Sequence, residues 1–328
     1  MNTKVVYVLT STEKDIYLEQ TMVSICSLRH HNPDAIVDLV VDHGTAASMT
    51  GARAEIKTYI TNLIEVDTPE GFNNMKKSRY LKTNLRFIIK GDFLYVDGDT
   101  IIARPLDDID TIEGELCAVA DKHVPMRFHQ SKEYAMKQLS QTGVKVNMDD
   151  FYVNGGVMLV RDTRKVREFY AEWYAKWVEN SKLGIFTDQP PLAYADAKCG
   201  HPIRLIDGTW NCQVNENGVK YLHDAYIIHY FASNVRKNSK GPYLLMDKDV
   251  YVDVKNSGKI TPDIEKIINH PWNAFSDVCP IINEYDAGFL HSSVRKLCFT
   301  SDKIYRIVNA FCDFLYKIIR HLSRGKNK

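Results

Sequence analysis

Asp97-Gly98-Asp99 directly follows the apolar run Phe93-Leu94-Tyr95-Val96. Two carboxylates two residues apart, at the C-terminal end of a buried strand, face the crevice in which open α/β sheets bind their ligands. Hard oxygens in such a pair suit a divalent cation, and a divalent cation suits a diphosphate. Nucleotide-sugar chemistry is the first expectation. Asp108-Ile109-Asp110 and Asp247-Lys248-Asp249 have the same pattern but follow no such strand, so context singles out the first triplet. Gly98 would let the backbone approach a ligand with no Cβ in the way.

His229 ends a second apolar run, Ala225-Tyr226-Ile227-Ile228. As a third ligand beside Asp97 and Asp99 it would suit Mn²⁺ better than an all-oxygen set; its alternative role is a structural hydrogen bonder. Asn154-Gly155-Gly156 precedes Val157–Val160, either as a plain turn or as a Gly-rich approach for a sugar. Asp188-Gln189 precedes Pro190, where Asp188 is either an N-cap or, with Gln189, a partner for hexose hydroxyls. Arg79 and Lys82 lie on a helical stretch ahead of the acidic strand; Arg79 there is either solvated or neutralises a diphosphate. Lys237 and Lys240 follow His229, either on an exposed turn or on a loop that closes over phosphates.

The elements that must position these residues alternate. Strands are expected at Lys4–Leu9, Ile36–Val41, Leu63–Val66, Phe93–Val96, Leu116–Ala120, Val157–Val160, Ile203–Ile206 and Ala225–His229. Helices are expected from Ile16 to about His30 with Asp15 as cap, and over Asn74–Ile89, Thr163–Asn180 and Phe186–Ala197. Strands separated by helical patterns imply an α/β, Rossmann-like, mostly parallel sheet flanked by helices. Residues 244–300 are punctuated by Pro262, Pro271 and Pro280. Beyond Ser301, Ile304, Ile307, Val308, Phe311, Leu315, Ile318, Ile319 and Leu322 recur at steps of three and four and so share one helix face.

At 328 residues, 45% hydrophobic and 25% charged, the chain can bury a sizeable core. From Arg295 to Lys328 nine Lys/Arg face two Asp; that end carries +7 of a net +1, and the rest carries −6. A basic amphipathic helix carrying Phe311, Phe314 and Tyr316 is expected to lie on an anionic membrane rather than to pack on the body. Seven scattered cysteines without Cys-x-x-Cys spacing fit a reducing compartment. The opening run Val5–Leu9 is too short for a signal-peptide core, and no stretch approaches the ~20 apolar residues of a membrane span. The P-loop, Gly-x-Gly-x-x-Gly, His-Glu-x-x-His and nucleophile-elbow patterns are missing from the sequence, as are nucleic-acid motifs.

Together, Ser78-Arg79-Tyr80-Leu81-Lys82, Phe93 to Thr100, Tyr152 to Leu159, Thr187-Asp188-Gln189 and His229-Tyr230 resemble family 8 of the retaining glycosyltransferases, from Val5 to about Tyr243. That family includes bacterial lipopolysaccharide galactosyl- and glucosyltransferases and, more distantly, glycogenin. The resemblance implies a GT-A catalytic domain over 1–243, with 244–300 as its extension and 301–328 as a basic helix. It implies a UDP-sugar donor, and Mn²⁺ (or Mg²⁺) on Asp97, Asp99 and His229. Thr10 and Tyr17 would hold uracil. Arg79, Asn154 and Gly155 would meet donor phosphate or sugar, with Lys82, Asp97 and Gly98 beside them. Asp188 and Gln189 would line the reacting sugar. The loop from Phe231 to Tyr243 is longer than the family's, and Lys240 stands for its phosphate lysine. A glycan or glycolipid acceptor and a peripheral place on the cytoplasmic face of the inner membrane follow from the same reading. Two other classes stay open: a sugar-nucleotide-binding protein without transfer activity, and a metal-dependent nucleotidyltransferase.

Overall fold

The computed structural model describes residues 1–214, 216–231, 242–275 and 292–325. The described residues of Met1–Val235 and Tyr243–Phe275 form one compact unit, and those of Arg236–Pro242 and Ser276–Lys328 a second.

The first unit is built on a seven-stranded sheet. Its strands are β1 (Lys4–Leu9), β2 (Val37–Asp42), β3 (Asn62–Val66), β4 (Phe93–Val96), β6 (Leu116–Pro125), β7 (Phe151–Val160) and β8 (Ile203–Leu205), in the order β3-β2-β1-β4-β7-β6-β8. The β1/β2, β2/β3, β1/β4 and β6/β8 pairs are parallel; only β7 runs against its neighbours β4 and β6. A three-stranded sheet, β5 (Thr100–Ile102), β10 (Ile227–His229) and β9 (Cys212–Gln213), continues from the end of β4.

Alternate residues of β1 serve opposite faces. Val5, Tyr7 and Leu9 join one apolar cluster with the helix Tyr17–His31, while Val6 joins the other with the helices Asn74–Thr83, Arg164–Lys182 and Gln189–Lys198. Both faces being covered, the parallel strands read as continuous apolar runs rather than alternating ones. Leu245, Tyr251, Ile264 and Ile268 belong to the first cluster, so residues 244–275 pack on the same core.

Element bounds differ from the sequence expectation where side chains compete with the backbone. The single helix expected over Asn74–Ile89 breaks at Asn84, whose Nδ2 donates to the Tyr80 carbonyl at 2.8 Å. Asp15 does not cap from the N-cap position. The helix starts at Tyr17, and the Asp15 carboxylate staples the preceding turn, accepting from Ser11 Oγ (2.6 Å), Thr12 N (2.8 Å) and Tyr17 N (3.1 Å). Asn154-Gly155-Gly156 is not a turn before a strand but lies within β7, which begins at Phe151. There the register skips: Ala118 faces Met158, and the next residue, Val119, faces Asn154. Such a bulge re-aims side chains. The helix Lys132–Thr142 was not anticipated, because only Ala135, Leu139 and Thr142 of its polar sequence are buried.

The second unit contains the helices Ser293–Thr300 and Asp302–Gly325. Tyr305, Ile307, Phe311, Phe314, Leu315, Tyr316, Ile318 and Ile319 are exposed on the longer helix. Among the described residues no helix is long and apolar enough to cross a membrane.

Candidate active site

β4 ends at Val96 against its antiparallel neighbour β7, and the Asp97 amide donates to the Gly156 carbonyl at 2.8 Å. The chain then turns into β5, whose Thr100 hydroxyl donates to the Asp97 carbonyl (2.9 Å) and shares a buried hydrogen bond with Ser24 (2.8 Å). β10 pairs antiparallel with β5, His229 opposite Thr100. That pairing brings together two residues 130 positions apart in the chain: His229 Nε2 lies 3.2 Å from Asp99 Oδ1. One ligand atom from each of Asp97, Asp99 and His229 falls within 4.8 Å of the others. Oxygen and imidazole donors about 2.1 Å from one small cation stand about 3 to 4 Å apart, so a slight closure seats an ion on this set. Gly156 makes the approach feasible, because a Cβ there would come within 2.5 Å of His229 Cε1 and 2.8 Å of Asp97 Oδ2.

Beside this cluster lies a buried ion network. Asp188 Oδ1 is 2.9 Å from Arg79 Nε, and Asp188 Oδ2 is 3.0 Å from Lys82 Nζ. Lys82 also reaches Asp97 Oδ1 at 3.4 Å and sits over the Tyr95 ring, while the Tyr95 hydroxyl donates to the same Asp97 oxygen. Burial alone would raise the Asp188 carboxyl; the charges of Arg79 and Lys82 override it and hold the group well below the usual carboxylate range. Asp188 occupies the N-cap position of the helix Gln189–Lys198 but makes no side-chain cap bond. Its oxygens serve the cleft instead.

One cleft of about 660 Å³ is lined by Thr10, Tyr17, Arg79, Lys82, Asp97, Gly98, Asp99, Asn154, Gly155, Asp188, Gln189 and His229 together. Tyr17 is half exposed at its edge, and Thr10 Oγ1 donates to the Asn74 carbonyl at 2.9 Å. Gln189 Nε2 donates to the Val153 carbonyl at 3.1 Å. Gly98 lines the cleft and has a packing reason besides: a Cβ there would strike Thr21 of the helix Tyr17–His31, so the missing side chain admits that helix. Lys237 and Lys240 lie outside the described residues. The two other Asp-x-Asp triplets are structural. Asp110 accepts from the Asn2 and Thr3 amides (2.6 and 2.9 Å), and Asp247 caps a short 3₁₀ turn.

Sequence reasoning missed a group behind the metal-type cluster. Asp121 accepts from Asn154 Nδ2 at 2.8 Å and pairs with His129 Nε2 at 2.9 Å. Asn211 joins Asn154 Oδ1 (3.0 Å) to His229 Nδ1 (3.1 Å). Phe231 stacks on the His229 ring at 4.0 Å, with Lys122 Nζ 4.4 Å from its centroid. Lys122 and Phe231 both adopt left-handed φ, at 56° and 51°, a strained state for residues bearing a Cβ. No sequence signal marked Asn211, a single amide without a periodic pattern; Asp121 directly follows the expected strand Leu116–Ala120, a signal of the same kind as the one that singled out Asp97.

No protein-family model and no curated protein matches the sequence. Solved structures do. The chain is similar to galactosyltransferase LgtC, solved with donor and acceptor sugar analogues, at 14% identity and TM-score 0.53 over 87% of this chain and 99% of that one. It is similar to the bifunctional glycosyltransferase WbbM in its apo form at 17% identity and TM-score 0.51, over 80% of this chain and 51% of that one. The chain thus spans about half of WbbM. The fold is GT-A. In GT-A terms, the Asp97–Asp99 turn lies at the carboxyl end of β4, beside the antiparallel strand β7, where a ligand crevice opens.

Proposed function

We propose that this chain is a metal-dependent retaining glycosyltransferase of the family 8 type, moving a hexose from UDP-glucose or UDP-galactose to a glycan or glycolipid. The observation that carries the reading is the convergence of Asp97, Asp99 and His229 at one end of the cleft, in a fold shared with glycosyltransferases. Thr10 and Tyr17 would take the uracil, the half-exposed tyrosine ring stacking on the base. Asp97, Asp99 and His229 would hold Mn²⁺ (or Mg²⁺), which when bound supplies positive charge against the diphosphate.

The rest is the work of side chains. Lys82 bridges Asp188 and Asp97, Arg79 pairs with Asp188, and the two would present fixed positive charge where the bond between the sugar and the diphosphate breaks. That bond's electrons leave on the diphosphate oxygen. The acceptor hydroxyl bonds to the anomeric carbon on the same face, and its proton passes to the departing oxygen. Asp188, ionised and held by two cations, is no free nucleophile; it would line the reacting sugar and keep Arg79 and Lys82 in place. Gln189 and Asn154 would orient sugar hydroxyls. Asn154 has most of its amide engaged within the protein, leaving one Nδ2 hydrogen for the cleft among the described residues.

The reading extends to place. The helix Asp302–Gly325 exposes Phe311, Phe314, Ile318 and Ile319 amid Lys303, Arg306, Lys317 and Arg320, which supports a peripheral position on the anionic cytoplasmic face of a bacterial inner membrane. Surface glycan or lipopolysaccharide synthesis is the process that fits.

The test is a screen of UDP-sugars for Mn²⁺-dependent release of UDP, with and without chelator. Turnover of one UDP-hexose that stops on chelation is the expected result. If no UDP-sugar binds or turns over, the reading fails; pyrophosphate release from a nucleoside triphosphate would point to the nucleotidyltransferase class.

A further inference from the structure

His229 can present a lone pair at Nε2 or at Nδ1, and only the first faces Asp97 and Asp99. With no cation between them, Asp99 Oδ1 at 3.2 Å would accept a proton from Nε2; a cation seated there removes that option, and a chain of buried amides behind the ring then decides. Asp121, His129, Asn154, Asn211 and His229 are each at least nine-tenths buried. Their polarity is anchored at groups that cannot turn over. The Ser131 amide donates to His129 Nδ1 at 3.2 Å, so His129 Nε2 carries the proton given to Asp121 Oδ2. The Gly156 amide donates to Asn154 Oδ1 at 2.9 Å, and Asn154 Nδ2 donates to Asp121 Oδ1. With Asn154 fixed in this way, Asn211 must offer Nδ2 to Asn154 Oδ1. The flipped amide would set two oxygens 3.0 Å apart in a dry interior. Asn211 Oδ1 is then left facing His229 Nδ1, at 3.1 Å.

We propose that Asn211 is a positioning residue that fixes His229 as the Nδ1–H tautomer and turns its Nε2 lone pair into the metal-type cluster. The inference rests on the metal reading of that cluster and adds what holds its one nitrogen ligand. An outer partner of a ligating histidine fixes both ring angle and proton, and losing it typically weakens metal binding about 10- to 100-fold. The relay also explains the bulge in β7. The register skip turns Asn154 inward, where it can take the Gly156 amide and Asn211 at once.

The experiment compares the whole protein with its Asn211→Leu and Asn211→Asp variants. Mn²⁺ affinity is read by electron paramagnetic resonance and folding by thermal melting. Leucine keeps the branched shape at a somewhat larger volume and removes the acceptor; aspartate keeps an acceptor for Nδ1–H at the expense of a buried charge. Positioning predicts that Asn211→Leu loses about 10- to 100-fold in Mn²⁺ affinity and that Asn211→Asp binds more tightly than Asn211→Leu although it melts lower. A purely structural role predicts the opposite affinity order, and Asn211→Leu binding Mn²⁺ like the parent overturns the proposal. If Asn211→Leu does not fold, ¹⁵N spectra of the parent's histidines with diamagnetic Mg²⁺ bound, at about pH 9, where imidazoles are neutral, decide directly. A pyrrole-type Nδ1 at His229 sustains the assignment and a pyrrole-type Nε2 ends it. A parent protein that binds neither Mn²⁺ nor Mg²⁺ defeats the metal reading instead.

Discussion

Lys82 Nζ lies 3.0 Å from Asp188 Oδ2, and both side chains are no more than one-tenth exposed. With Arg79 2.9 Å from the other oxygen, the carboxylate at the head of the helix Gln189–Lys198 is matched inside the cleft rather than by the helix. Removing it leaves the buried Lys82 and the part-exposed Arg79 short of a counter-charge. Asp188→Asn is expected to lose about 3 kcal/mol of stability. The folded-state carboxyl is depressed below its unfolded value of about 3.9, so its contribution is fully present above that pH and disappears as pH falls towards the folded pKa. Urea midpoints taken from about pH 5 down to pH 2 should fall more steeply for the parent than for Asp188→Asn. Parallel slopes would show that this pairing does not contribute.

Asp99 Oδ1 lies 3.2 Å from His229 Nε2 and belongs to the three-residue cluster, a spacing that a shared cation would bridge. Asp99→Asn keeps the shape but removes the charge that attracts a cation. The expected loss is several kcal/mol of transition-state stabilisation, about 10³-fold in Mn²⁺-dependent UDP release, with the melting temperature little changed. Full activity with undiminished metal dependence in this variant would remove Asp99 from the site.

How far the chain could be read in advance depended on whether a residue's neighbours were local. Phe93–Val96 and Ile227–Ile228 are apolar runs whose ends point to Asp97, Asp99 and His229, and those ends meet in one cleft. The expectation of a mostly parallel sheet flanked by helices rests on the same kind of signal, whereas the strand order comes only from the structure. Three things stayed hidden because they are made by pairing at a distance. The reach of β7 back to Phe151 depends on β6 supplying partners across Asn154-Gly155-Gly156, which in isolation looks like a turn. Asp188 read either as a cap or as a partner for a hexose, but its pairing with Arg79 and Lys82, more than a hundred residues earlier, left no local trace. Asn211 sits in a short 3₁₀ segment with no periodic pattern, and its role exists only through Asn154 and His229.

Gly156 lies where three functional side chains converge. A methyl group there would stand 2.5 Å from His229 Cε1, 2.8 Å from Asp97 Oδ2 and 2.9 Å from Asn154 Oδ1. Gly156→Ala must therefore displace the imidazole or the carboxylate, at about 1–3 kcal/mol of overpacking. Mn²⁺ titration should show an affinity loss of at least about tenfold, with a smaller relative change in melting than Asp188→Asn. Normal Mn²⁺ binding by Gly156→Ala would mean that Asp97 and His229 need not approach one another to hold the ion.

The helix Asp302–Gly325 puts Phe311, Phe314, Ile318 and Ile319 into solvent beside Lys317 and Arg320. Burying apolar side chains at a lipid interface and drawing basic ones to an anionic surface are additive, and the second term is screened by salt. Deleting residues 295–328 is expected to abolish sedimentation with vesicles rich in anionic lipid, while turnover of a UDP-sugar with a soluble acceptor persists. The intact chain should bind neutral vesicles weakly and release from anionic ones as salt rises from about 0.1 M, where the screening length is about 10 Å, towards 1 M, where it is about 3 Å. Phe311→Ala combined with Phe314→Ala should weaken binding without altering its salt dependence, because the charges remain. If the truncated chain still partitions onto anionic vesicles as the full chain does, the attachment lies elsewhere and this helix serves another partner.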